Sequence, residues 1–303
     1  MKRSRSLSKT IFVGISVAYL AGAGCGKPPT PGTVAPKTTV ADAKALHAKH
    51  CGACHGENGN GEGPGSRSLW PKARNFRRES FRLVSTKNQI PSVEDVETVI
   101  RRGMPGTSMK AFDTLSQNER IALAKHVLEL QRAGLRETII EQARTEQENI
   151  DDSVVQRIVD WRTTPSGRAT LPEFGDSTAD SIRRGRALYL QSGCPSCHGD
   201  DGVGRSKVYL YDESRRPTRA RDLQHEPFKG GHGRISIALR IRLGMPGTPH
   251  PSSPLLSESQ LVDLVHYCHS LSHEPKLDLT GFQRRSLATG QEYLKSLGRA
   301  AHQ

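Results

Sequence analysis

The sequence predicts an all-α protein made of two tandem copies of one small helical domain. Three observations predict this. The pentapeptide Cys51-Gly52-Ala53-Cys54-His55 returns as Cys194-Pro195-Ser196-Cys197-His198. A Gly-Met-Pro-Gly-Thr segment occurs at 103–107 and again at 244–248. A Leu-Ser step then opens a last helical pattern in each half, at Leu115-Ser116 and Leu256-Ser257. A length of 303 residues fits two domains, and the repeat divides it that way.

The elements follow in order. Residues 1–25 have a basic start, an apolar run from Ile11 to Ala23 and small residues before Cys25, the pattern of a secretory signal. Residues 26–40 are a Pro/Thr-rich linker. The first domain, 41–133, starts with a helical pattern from Ala41 to His50 that runs into the first pentapeptide. A long irregular stretch, 56–91, carries Gly59, Gly61, Gly63 and Gly65, which allow tight turns. Ser92 with Asp95 three residues on predicts a capping box and a helix with Val93, Val96 and Ile100 on one face, stopped by Gly103. Ser116 with Glu119 predicts the next helix in the same way. Residues 134–178 are expected to be a connector: an exposed helix over 137–161, then a linker with Pro165, Gly167, Pro172 and Gly175. The second domain, 179–273, repeats the order, with helices ending near Gln191, around Ile235–Arg242 and over Ser257–Leu271. The tail, 274–303, is polar with a weak helical pattern near 291–297.

The pentapeptide C-x-x-C-H reads as covalent c-type haem attachment, with two thiols bonded to one porphyrin and the adjacent histidine as proximal iron ligand. With 6 Cys and 12 His in the chain, chance supplies about 0.005 such matches. The cofactor-binding residues are therefore Cys51, Cys54 and His55, and Cys194, Cys197 and His198, for two covalently bound haem c groups. A zinc site would need a second cysteine pair in each half, and neither half has one.

On these pentapeptides, the glycine-rich loops after them and the Gly-Met-Pro-Gly-Thr segments, each half resembles a class I c-type cytochrome domain, and the chain resembles a dihaem bacterial cytochrome c. The likeness covers about residues 41–133 and 179–273. It implies a few helices wrapped around one haem per domain, with haem attached outside the cytoplasmic membrane. It also implies a distal methionine a few residues before the Leu-Ser step. In the first half Met109 takes that place, with Met104 as the alternate. In the second half the matching residue is His250, a departure from the family's methionine, with Met245 as the alternate. Met104 and Met245 also suit simple packing in a turn. Arg74 and Arg221 follow the two pentapeptides at matching places, and arginine fits a haem propionate better than lysine does; two solvated arginines are the competing reading. His47, His50, His232, His266 and His269 are read as surface or packing residues, and Cys268 as a small buried hydrophobe.

The formal net charge is +13, and without Lys2, Arg3, Arg5 and Lys9 of the signal it falls by four to +9. A basic chain could meet nucleic acid, anionic lipid or an acidic protein. No nucleic-acid motif or basic stripe is present, so the last two lead. Cys25 with its Pro/Thr linker resembles a lipoprotein anchor, which would hold the exported chain at a periplasmic membrane surface. Gly22 departs from the usual leucine, and Ala21-Gly22-Ala23 also suits plain signal cleavage. The function expected is single-electron transfer without bond-making chemistry. The expected partners are a membrane quinol-oxidising complex, a terminal oxidase or an exported reductase. A dihaem peroxidase and a haem-based sensor are the alternatives, each needing one iron face left open.

Overall fold

The computed structural model describes residues 40–204, 208–272 and 279–300; the expected signal, Cys25 and residues 26–39 of the expected linker lie outside them. Both halves fall in one compact unit. The first half runs α1 (Val40–His50), α2 (Gly52–His55), a 3-10 turn (Pro64–Ser68), α3 (Val93–Arg102) and α4 (Gln117–Thr145). The two capping boxes form as expected. Ser92 Oγ accepts from Asp95 N at 3.2 Å while Asp95 Oδ2 accepts from Ser92 N at 3.1 Å. Ser116 and Glu119 repeat the arrangement. Such boxes satisfy backbone donors that a helix start leaves open. The helices then bury one face each: Val96 and Ile100 of α3 meet Leu123, Ala124 and Val127 of α4 around Phe76.

The second half repeats this with α6 (Ala179–Gln191), α7 (Pro195–His198), α8 (Arg234–Leu243) and α9 (Glu258–Ser270). Its core joins Tyr189, Ile237, Ala238, Leu261, Leu264, Val265 and Tyr267. A two-residue antiparallel ladder, β1 (Leu210–Tyr211) with β2 (Pro217–Thr218), is the one sheet among the described residues.

The connector differs from the single exposed helix expected over 137–161. Helix α4 continues to Thr145, the chain turns through Gln147 at φ 59°, and α5 (Asp152–Thr163) packs back on it. Asp151 caps α5 by accepting from Ser153 N at 2.7 Å. The cause of the hairpin is apolar: Ala143, Val155 and Val159 are buried between the two helices, an outcome a solvated helix would not give. The following linker lies along the first domain, where Lys87 N donates to Gly167 O at 3.0 Å and Ala169 N to Ser85 O at 2.8 Å. The last helix, α10 (Gly281–Ala300), starts ten residues earlier than the weak pattern suggested, because Thr280 and Gln283 cap it reciprocally. Arg284 Nε on α10 donates to Trp70 O at 3.2 Å, tying the C-terminal helix to the first domain. Among the described residues no helix is long and apolar enough to cross a membrane.

Candidate functional site

Each pentapeptide closes on itself as a short helical turn directly after the first long helix of its domain, α2 after α1 and α7 after α6. His55 N donates to Cys51 O at 2.9 Å and His198 N to Cys194 O at 3.0 Å. That turn sets two cysteines and a histidine on one short segment. Among the described residues none of the cysteines is disulfide-bonded. Burial pushes the Cys51 thiol up to about 11 and raises that of Cys194.

The proximal histidines are held alike. His55 Nδ1 meets Arg74 O at 2.9 Å, and His198 Nδ1 meets Arg221 O at 2.9 Å. A carbonyl only accepts, so Nδ1 carries the proton and Nε2 keeps a free lone pair, the tautomer a metal needs. Burial lowers both imidazoles below their ordinary pKa, keeping them neutral. Phe76 stacks on His55 with ring centroids 4.4 Å apart.

The distal loops are the same construction twice. Met104 N donates to Met109 O at 3.0 Å, and Met245 N to His250 O at 3.2 Å. Thr107 Oγ1 donates to Met104 O and accepts from Met109 N; Thr248 Oγ1 does so with Met245 O and His250 N. His250 therefore occupies the place of Met109, as the alignment of the halves expected. Gly103 and Gly244, at φ 70° and 69°, let each loop fold back on the helix end; a Cβ at either would strike the backbone after the loop.

In the second domain the two imidazoles lie close together. His198 and His250 have ring centroids 6.3 Å apart and planes at 69°. Two imidazoles bonded through nitrogen at about 2.0 Å to opposite sides of one metal place their centroids roughly 6 Å apart. His250 Nδ1 is taken by Pro251 O at 3.1 Å, which leaves Nε2 free here too. Burial and then the neighbouring His198 bring the His250 pKa to about 4, so both rings are neutral donors. These residues fit a bis-histidine iron centre.

Arg74 and Arg221 do not lie loose in solvent. Arg74 pairs with Glu79 and Glu213, both at 2.9 Å, and Arg221 with Glu226 at 3.0 Å. Glu79 and Glu226 each follow their arginine by five residues, so this pair repeats in both halves. Around them Arg82 pairs with Asp212 at 3.2 Å, and Arg216 with Asp212 and Glu79. Arg82, Arg216 and Arg221 of this cluster line an interdomain cavity with Arg219, Lys229 and Arg284, and Asp212 and Glu226 are its carboxylates. Burial, then Arg221, Arg82, Arg74 and Arg219, drive the Lys229 ammonium well below its ordinary pKa. A cavity with this cation excess suits a carboxylate-bearing cofactor edge. Sequence reading missed Glu79, Glu213, Glu226 and Lys229. The repeated Arg-x-x-x-x-Glu spacing was the available signal for two of them.

Helical domains, each presenting a Cys-x-x-Cys-His turn, an anchored proximal imidazole and a glycine-hinged distal loop, define a tandem c-type haem protein. The Cytochrome c family model matches residues 40–131 and 182–272, so the chain belongs to the cytochrome c family, with two such domains in tandem. Cytochrome c domains bind haem c and imply electron transfer. A solved chain of the reducing HAO-like protein complex of Kuenenia stuttgartiensis is similar, with TM-score 0.63 and 27% identity, covering 78% of this chain and 99% of that one. No curated protein matches.

Proposed function

We propose that the protein is a dihaem electron carrier that passes single electrons between exported or membrane-bound redox proteins. One observation carries this reading: the His198 and His250 rings stand 6.3 Å apart, a spacing at which both would hold one iron. When bound, haem supplies a one-electron iron centre. The chain attaches it through Cys51 and Cys54 in one domain and Cys194 and Cys197 in the other. It holds the axial imidazoles neutral and aimed through the carbonyls of Arg74, Arg221 and Pro251. His55 with Met109 would hold the first iron and His198 with His250 the second, Met104 and Met245 being turn residues whose carbonyls anchor Thr107 and Thr248. Two occupied faces per iron favour a relay over the peroxidase and sensor alternatives.

Arg74 and Arg221, together with the cation-rich cavity beside them, receive the haem propionates. Methionine raises a haem potential relative to histidine, so the His198/His250 site is the lower-potential end. A structural neighbour drawn from a protein complex supports a protein as redox partner. Export, and anchoring through Cys25 at a periplasmic membrane surface, belong to the same reading. Mass spectrometry of the exported protein should find two attached haems. A potentiometric titration should resolve two components, of which His250→Met raises only the lower. Fewer than two haems, or a resting oxidised protein that binds cyanide rapidly, would sink the carrier reading.

A further inference from the structure

The residue that anchors each proximal histidine also reaches across to the other domain. His198 donates to Arg221 O, and the Arg221 guanidinium lies against Gly106, in the middle of the first domain's distal loop. A Cβ on Gly106 would meet that guanidinium, and the φ of 69° at this position favours glycine. In the other direction His55 donates to Arg74 O, and Arg74 Nη1 donates to Glu213 Oε1 at 2.9 Å. Glu213 N in turn donates to Gly247 O at 3.1 Å, in the middle of the second domain's distal loop. A Cβ on Gly247 would strike the Glu213 carboxylate. Ser80 N and Oγ fix the same carboxylate at 2.9 and 2.7 Å.

We infer that the two haem sites are coupled crosswise: the proximal side of each is braced against the distal loop of the other, with Glu213 as the positioning residue of one brace and the Arg221 guanidinium as the other. The inference rests on the dihaem reading above. Its physical content is that these contacts are short and made by charged groups whose partners are fixed. Arg74 keeps 15% of its side-chain exposure and Glu213 27%. A charged pair bonded on both sides passes a displacement of one partner to the other. The chain has a second reciprocal pair behind the first. Arg102 of α3 donates to Lys229 O and Gly230 O, and Arg240 of α8 donates to Arg82 O and Val84 O, which ties each domain to the other's backbone. The glycine following Met-Pro in each half is therefore more than a turn residue. Against Gly106 fits the guanidinium of the other domain's Arg221, and against Gly247 fits Glu213 of its own domain, which Arg74 of the first domain holds.

Low-temperature electron paramagnetic resonance of the oxidised, haem-loaded full-length protein tests this. The wild-type spectrum first shows whether two six-coordinate signals exist, and a failure there removes the dihaem reading itself. With two signals present, the one that His250→Met alters is assigned to the second domain. Gly247→Ala is then expected to shift the first domain's signal as well as its own, and Gly106→Ala the second domain's. Glu213→Gln, which strains no backbone, is expected to shift both signals. If each glycine variant moved only its own domain's signal, or if Glu213→Gln moved neither, the crosswise coupling would be overturned.

Discussion

The two domains cross their first and last helices with the same geometry and opposite chemistry. In the second domain Tyr189 on α6 meets Tyr267 on α9, ring centroids 5.3 Å apart and planes at 63°. In the first, His47 on α1 meets His126 on α4 at 5.2 Å and 63°. His126 and Tyr267 each lie ten residues after the serine that caps their helix, so the pairs are equivalent positions. Four residues before each first-helix ring, Gly185 in one domain stands where Ala43 stands in the other. A Cβ on Gly185 would meet Asp263 backbone and lie 2.8 Å from Tyr267 Cβ, so α6 and α9 approach more closely than an alanine allows. Tyr189 also donates to Gly199 O at 2.6 Å, next to the haem-attachment turn. His47 is 1% exposed and neither of its ring nitrogens has a partner, nor has Nε2 of His126. One repeat has a satisfied crossing and the other an unsatisfied one. A fold tolerates either, because ring shape fills the crossing while the polar atoms decide its cost.

The largest effect should come from emptying the crossing. Tyr189→Ala removes a fully buried ring and is expected to cost about 3–5 kcal/mol, read as a loss of amide protection confined to α6 and α9. Equal loss of protection in α1 and α4 would mean that the domains do not unfold separately and would break the comparison.

The next effect distinguishes the two ring crossings by pH. Burial, then His126 and His55, hold the His47 pKa at about 4, against about 6.5 in the unfolded chain. The unfolded state therefore binds more protons between these values, so the stability is present above about pH 6.5 and is lost as pH falls toward 4. The loss expected for the first domain is about 2–3 kcal/mol, visible in hydrogen exchange of α1 and α4. The tyrosine pair has no such titration, since burial moves Tyr189 and Tyr267 upward, away from this range. His47→Phe should flatten the first domain's profile; an unchanged profile would assign the acid lability elsewhere.

This contrast also separates what the chain states locally from what it states only through packing. The haem turns, the capping boxes at Ser92 and Ser116 and the equivalence of Met109 with His250 are short-range patterns, legible residue by residue. The match of α3 to its expected span, and of α4 to its expected start, follows from those caps. Nothing short-range marks Glu213, because its partners Arg74 and Ser80 lie 139 and 133 residues away. Nor does anything local say that His47 is buried: a histidine on a weakly patterned helix looks like a surface residue until Phe76 and His126 close over it. The turn at Gln147 was hidden for a different reason. The segment has neither glycine nor proline, and only the apolar faces of α4 and α5 meeting each other explain it.

The smallest effect is also the sharpest, because one substitution type should act with opposite signs at equivalent positions. Tyr189→Phe deletes a hydroxyl whose hydrogen bond to Gly199 O is buried, leaving that carbonyl without this donor; the expected cost is about 1 kcal/mol. His47→Phe deletes two ring nitrogens that have no partner and replaces them with carbon of similar shape. Removing buried polar atoms that gain nothing from burial is expected to stabilise the first domain by about 1 kcal/mol. Domain-resolved hydrogen exchange at neutral pH reads both. If His47→Phe destabilised its domain as Tyr189→Phe does, the His47 nitrogens would have a partner in solution, an enclosed water being the simplest, and the first crossing would be satisfied after all. The sign of that one change decides whether the two repeats differ in energy or only in the atoms that supply it.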